Sequence, residues 1–128
     1  MSLRSPLGAV LGRGAAGDGV SHWWSQRVTA VALAPLGLWL LVSLLRLPLG
    51  DYAAVSIWMA SGWNPVLLAL TVLAACWHSL LGVQVVIEDY VHTSALKVSL
   101  LLASSGAHVL LAAGGIYAIL RAALRSAP

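Results

Sequence analysis

Residues 74–92 read AACWHSLLGVQVVIEDYVH. The stretch begins as the apolar interior of a helix, carries His78 within it, and ends on an acidic, tyrosine-bearing edge at Glu88, Asp89 and Tyr90. With about 3.6 residues per turn, the step from His78 to Asp89 returns to nearly the same helix face, about 16 Å further along the axis. The helical neighbours of His78 at i−4, i−3 and i+4 are Ala74, Ala75 and Gly82. The imidazole therefore stands on a strip cleared of bulk, as a flat ligand such as a porphyrin requires. The segment reads as a candidate haem ligand joined to a candidate quinone-site edge.

Composition outside this stretch sets the class. The chain has 128 residues, 60% of them hydrophobic and 9% charged. A soluble domain carries about a quarter charged residues, whereas a bilayer helix needs about 20 mostly apolar ones. The chain is long enough for three such spans and has no room for a soluble catalytic domain beside them. Its net charge of +3 comes from seven basic and four acidic residues. These are scattered, as charges that flank and orient membrane helices are, and form no patch for nucleic acid. One cysteine, Cys76, rules out a disulfide framework and reads as a small apolar filler. The run between Arg4 and Arg13 is too short and glycine-rich for the apolar region of a cleaved signal peptide.

Taken in order, residues 1–24 form an N-terminal cytoplasmic and interfacial segment, and residues 25–128 a three-helix membrane anchor domain. Residues 1–21, rich in Gly, Ser and Ala, are expected to be extended or loosely ordered on the membrane surface. His22, Trp23 and Trp24 make an interfacial cluster, because indole favours the headgroup level. The spans are predicted at about 26–45, 65–87 and 95–120, giving an all-α membrane protein. Pro35 is expected to bend the first span. Tyr52, Val55, Ile57, Trp58 and Met59 suit a short amphipathic interfacial helix between the first two spans. Glu88 to Ser94 reads as the second loop, and Arg121 and Arg125 close span three. Small residues in that span (Ser104, Ser105, Gly106, Ala107, Gly114, Gly115) mark where helices approach closely.

The chemistry-bearing residues gather toward one end. His78 lies about 13 Å inside the second loop's edge of its span, and ionisable groups at such depth are functional candidates by default. The bland alternative is a neutral histidine hydrogen-bonded across a helix interface. His108 lies at similar depth in span three. It either joins His78 in clamping one haem or packs near Ser104 and Ser105. Arg27 is a snorkelling arginine or a cation near haem propionates or a quinone headgroup. Tyr90 with Asp89 suits a quinone carbonyl, which needs a hydrogen-bond donor and a proton source; a belt aromatic beside a helix-terminal charge is the plain reading. His22 and His92 are interfacial and read as solvated loop histidines.

Two motifs carry a family resemblance that spans nearly the whole chain. HWWSQRVTA, residues 22–30, leads into span one, and His78 is followed eleven and twelve residues later by Asp89 and Tyr90. With the three-span layout, this resembles the hydrophobic membrane anchor subunit of succinate dehydrogenase, respiratory complex II, in its proteobacterial form. The resemblance implies that His78 is one axial ligand of a haem b whose other ligand comes from the second anchor subunit of that complex. It implies that Tyr90, with Asp89 beside it, lies at the ubiquinone site, and Arg27 near the haem propionates. His22 is at most near the same region, and His108 matches no ligand position. Besides the second anchor subunit, the flavoprotein and iron–sulfur subunits, ubiquinone and membrane lipid are the implied partners, with no nucleic acid. The chain itself is a non-catalytic subunit.

Two other readings compete with the anchor: a stand-alone small cytochrome b using His78 and His108, and a non-redox membrane assembly protein whose histidines only pack. Four basic residues on the N-terminal side (Arg4, Arg13, Arg27, Lys97) against three on the other (Arg46, Arg121, Arg125) favour a cytoplasmic N-terminus. The expected location is the cell inner membrane, ahead of the mitochondrial inner membrane.

Overall fold

The computed structural model describes residues 16–125, with side chains from Val20 onward. It is all-helical: α1 (Ala16–Arg46), α2 (Tyr52–Ala60), α3 (Asn64–Tyr90) and α4 (Ser94–Arg125). Three of these, as Val20–Arg46, Asn64–Tyr90 and Ser94–Arg125, are long and apolar enough to cross a membrane, with short α2 between the first two. Apolar residues surround all three. In lipid every backbone group must be satisfied within its own segment, so a helix is the form such a sequence takes.

Helix α3 is central: it packs against α1 on one side and α4 on another, while α1 and α4 make no direct backbone approach. The short α2 rests on α3 and α4, and Trp58 on α2 stacks on Trp39 of α1 at 5.8 Å. Among the described residues only Leu81 and Ile119 are buried. The rest of the apolar surface is left for lipid or for another chain.

Helix ends differ from the sequence expectation at two places. Residues 16–21, expected to be extended, already belong to α1, which is continuous from Ala16 through the interfacial tryptophans into the span. Once a span is helical, prolonging it into the headgroup layer adds a hydrogen bond per residue, and this outweighs the roughly 1 kcal/mol penalty of each glycine there. The remainder of 1–21 lies outside the described residues. Pro35 sits inside α1 without ending it.

The loop expected at Glu88–Ser94 shrinks to Val91–Thr93, because α3 runs on through Tyr90. Two bonds hold that last turn. The Val91 N–H donates to Ile87 O at 3.0 Å, and Lys97 Nζ reaches back from α4 to donate to Glu88 O at 3.0 Å. A cation on the terminal carbonyls offsets the unfavourable placing of Glu88 and Asp89 at the negative end of a helix.

Helix α2 is apolar around its circumference rather than amphipathic, since Tyr52 and Ser56 are its only polar residues. Asp51 caps it, accepting from Ala53 N at 2.9 Å and Ala54 N at 3.3 Å. The turn into α3 passes through Gly62 at φ +54°, a conformation that favours glycine, and Pro65 sits in the first turn of α3.

Of the small-residue stripe on α4, Gly115 makes the close approach: a Cβ there would come within 2.8 Å of Val72 Cγ1 on α3. Gly106 and Gly114 face open space.

Candidate functional site

The antiparallel course of α1 and α3 brings the start of the first span alongside the C-terminal half of the second. There the His78 ring lies against α1 with both nitrogens engaged. Thr29 Oγ1 is 3.0 Å from Nδ1, and Gln26 Nε2 is 3.4 Å from Nε2. Gln26 and Thr29 are three apart, hence on one helix face, and that face is the one α1 presents to His78. The Thr29 hydroxyl also lies 2.9 Å from Ser25 O and 3.1 Å from Gln26 O of its own helix.

The strip of small residues beside His78 is therefore partly filled. Gly82, one turn on, lies beside the Gln26 amide; a Cβ at position 82 would be in ordinary contact, 3.7 Å from Gln26 Nε2. Gln26 Oε1 is buried and has no hydrogen-bond partner. A buried acceptor without a donor costs about 1–3 kcal/mol, so the amide is held only loosely in this position. Sequence reasoning missed Gln26 and Thr29 as site residues. HWWSQRVTA puts both on one face of α1, but only the packing shows that this face meets α3.

His108 is turned elsewhere. Its Nδ1 is 2.8 Å from Ser104 O in its own helix, and its Nε2 is 3.2 Å from Ser79 Oγ on α3. A backbone carbonyl can only accept, so Nδ1 carries the proton and Nε2 accepts from Ser79 Oγ–H. Ser79 follows His78 about 100° around the helix. The two histidines thus meet different neighbours, α1 for His78 and α4 with α3 for His108. The structure does not form the His78–His108 clamp.

The other expected residues occupy one end of the molecule without meeting His78. Arg27 is exposed, its guanidinium 5.3 Å from the centre of the Trp23 ring, and Trp23 stacks on Trp24 at 5.8 Å. His22 is half-buried. Asp89 and Tyr90 stand on the last turn of α3 rather than in a loop, and Tyr90 is 78% exposed. Neither side chain has a hydrogen-bond partner within the described residues. His92 is exposed in the loop. At the opposite end a cavity of about 510 Å³ is lined by Tyr52, Ser56, Tyr117, Arg121 and Arg125, far from all of these. Among the described residues no three His, Cys, Asp or Glu side chains converge on one point.

Fold and site together define a class: a small multi-pass, all-helical membrane protein whose polar chemistry is gathered at one end of its first two spans and whose apolar flanks are open. The chain matches the family model described as succinate dehydrogenase/fumarate reductase transmembrane subunit over residues 1–119. It is 36% identical over 90 residues to the succinate dehydrogenase hydrophobic membrane anchor subunit of Rickettsia conorii, covering 70% of this chain and 71% of that one. The Rickettsia bellii protein of the same name is also 36% identical over 90 residues, covering 70% and 72%. The succinate dehydrogenase membrane anchor subunit of Reclinomonas americana is 34% identical over 79 residues, covering 59% and 65%. The chain belongs to the family of succinate dehydrogenase/fumarate reductase transmembrane subunits.

Proposed function

We propose that this chain is the hydrophobic membrane anchor subunit of a succinate dehydrogenase that reduces ubiquinone, and that it supplies one axial ligand of a haem b and part of the quinone site. The membrane-anchoring role follows from the family and from three spans that bury almost nothing of themselves. The single observation that carries the finer reading is His78, an imidazole deep in a span and held by α1 on a glycine-cleared strip.

The residues present fit a haem on three counts. An imidazole is a common axial ligand, and its ring is oriented by a hydrogen bond on one nitrogen, as metal-bound histidines require. Gly82 clears the surface next to the other nitrogen. Gln26, whose Oε1 lacks a donor, is a three-rotor side chain that can swing aside at little cost. The other deep imidazole, His108, is engaged by Ser104 and Ser79, so the second ligand would come from another anchor subunit. The unfilled flank of α3 supports that: Val66, Leu70, Leu73 and Trp77 are exposed at heptad spacing. When bound, the haem would supply a one-electron store beside the quinone.

Tyr90 and Asp89 act at the edge of the same helix. The Tyr90 hydroxyl donates a hydrogen bond to a quinone carbonyl, which draws electron density onto that oxygen as it is reduced. Asp89, adjacent and solvated, delivers a proton there from water. Their exposure in this chain is what a pocket shared with other subunits requires, since those subunits would close it. Arg27 is free to turn from the Trp23 face toward an anionic group. The Tyr90 end is assigned to the cytoplasmic face of the inner membrane, where the flavoprotein and iron–sulfur subunits would dock.

Purification of a tagged copy tests the whole reading. It should bring down a flavoprotein and an iron–sulfur subunit and show a low-spin haem b spectrum. A colourless protein with no dehydrogenase attached would sink it. His78→Leu should remove the haem spectrum while His108→Leu keeps it; the opposite pattern would restore the single-chain cytochrome.

A further inference from the structure

The hydroxyl of Thr29 has one proton and two helix carbonyls competing for it, Ser25 O at 2.9 Å and Gln26 O at 3.1 Å. Carbonyls only accept, so the proton is committed to α1 itself, as threonine in a helix commonly commits it. With the proton so used, Thr29 Oγ1 is an acceptor for the ring nitrogen 3.0 Å away. That arrangement is the one in which His78 carries its proton on Nδ1 and its lone pair on Nε2.

We infer that Thr29 is the positioning residue of the haem site, holding the His78 imidazole in one tautomer and one rotation so that Nε2 is the nitrogen presented to iron. The inference rests on the haem reading above and deepens it. An acceptor on Nδ1–H raises the basicity of the ligating nitrogen. It therefore favours the ferric state and lowers the haem potential. A threonine on the neighbouring helix performs this task without placing a charge in the bilayer, where a carboxylate acceptor would be costly.

The test compares Thr29→Val, Thr29→Ser and His78→Leu in the assembled complex, purified from membranes. Valine keeps the β-branched shape of threonine and replaces the hydroxyl with a methyl group. The hydroxyl's other contacts are to carbonyls that the helix ladder already satisfies, so the change reports on His78. Expected for Thr29→Val are a haem midpoint potential above that of the parent, an altered low-spin electron paramagnetic resonance spectrum, and haem loss to an apo-globin scavenger faster by about 10-fold or more. Thr29→Ser should restore all three. Should Thr29→Val reduce assembly, Thr29→Ala, compared with Thr29→Ser at matched yield, reads the same quantities. Unchanged potential and spectrum in the valine or alanine variant, with haem lost in His78→Leu, would overturn the role of Thr29 alone. Haem retained in His78→Leu would overturn the ligand assignment, and the inference with it.

Discussion

His78 shows how a single side chain in a span acquires a direction. An imidazole in lipid needs both nitrogens answered, and here one helix face answers both: Thr29 at Nδ1 and Gln26 at Nε2. His108 solves the same problem differently, donating to its own helix and accepting from Ser79. Interhelical hydrogen bonds of this kind contribute on average about 0.6 kcal/mol in membranes. His108→Leu is therefore expected to cost less than about 1 kcal/mol and to leave the haem spectrum unchanged, which absorbance and a thermal melt of the complex would check. Gln26→Leu is expected to keep the haem, because the amide it removes has an orphan oxygen and a long contact; loss of the spectrum would show that Gln26 holds the site. At the proposed quinone edge, Tyr90→Phe should impair quinone reduction and spare succinate oxidation by an artificial soluble acceptor, and equal loss of both would indicate failed assembly instead. The candidate ligand His78 and the pair Asp89–Tyr90 were readable from residue type and spacing. Their partners on α1 were not, because which face of one helix meets another is absent from either helix's own periodicity when both are apolar all round.

At the scale of elements, two contacts set how the helices sit. Gly115 lets α4 approach Val72 of α3 so closely that a Cβ would come within 2.8 Å of its methyl. Gly115→Ala gains up to about 1 kcal/mol of helix propensity but overpacks a stiff, β-branched neighbour, which costs about 1–3 kcal/mol. The net expectation is a loss, seen as a lowered melting temperature of the purified complex. In a Val72→Ala background the same Gly115→Ala change should no longer destabilise, measured against Val72→Ala alone; an equal loss in both backgrounds would show that Gly115 is not in contact with Val72. Helix α2 depends on Asp51, and Asp51→Ala should cost about 1 kcal/mol, appearing as faster hydrogen exchange at the Ala53 and Ala54 amides. The existence and order of all four helices were legible as apolar runs broken by Pro48, Gly50 and Gly62 and by the polar stretch Glu88–Ser94. The ends of α1 and α3 were not: helix continuation at Ala16 and Tyr90 depends on the cost of leaving backbone groups unpaired near lipid and, at Tyr90, on Lys97 arriving from the next helix.

For the whole molecule, three spans with two buried side chains among those described make a surface that lipid or other chains must cover. Helix α3, already flanked by α1 and α4, keeps a free stripe at Val66, Leu70, Leu73 and Trp77. Charges there should block assembly: Leu73→Glu is expected to abolish co-purification of the other subunits while the chain still inserts. The side of the membrane can be read with single cysteines in a Cys76→Ser background. Thr93→Cys should label from the cytoplasmic side and Ser61→Cys from the other, and the reverse pattern would invert the topology. Amino-acid order alone determined that the chain spans a membrane three times, where the spans lie, and which of its few polar residues sit deep within them, because burying peptide groups in lipid admits few solutions. Only the tertiary structure decided that α3 is the central helix, that His78 answers to Thr29 while His108 answers to Ser79, and that Gly115 rather than Gly106 or Gly114 is the point of close approach. Those choices depend on the relative rotation of helices that are apolar on every side, and close packing, not sequence pattern, selects that rotation.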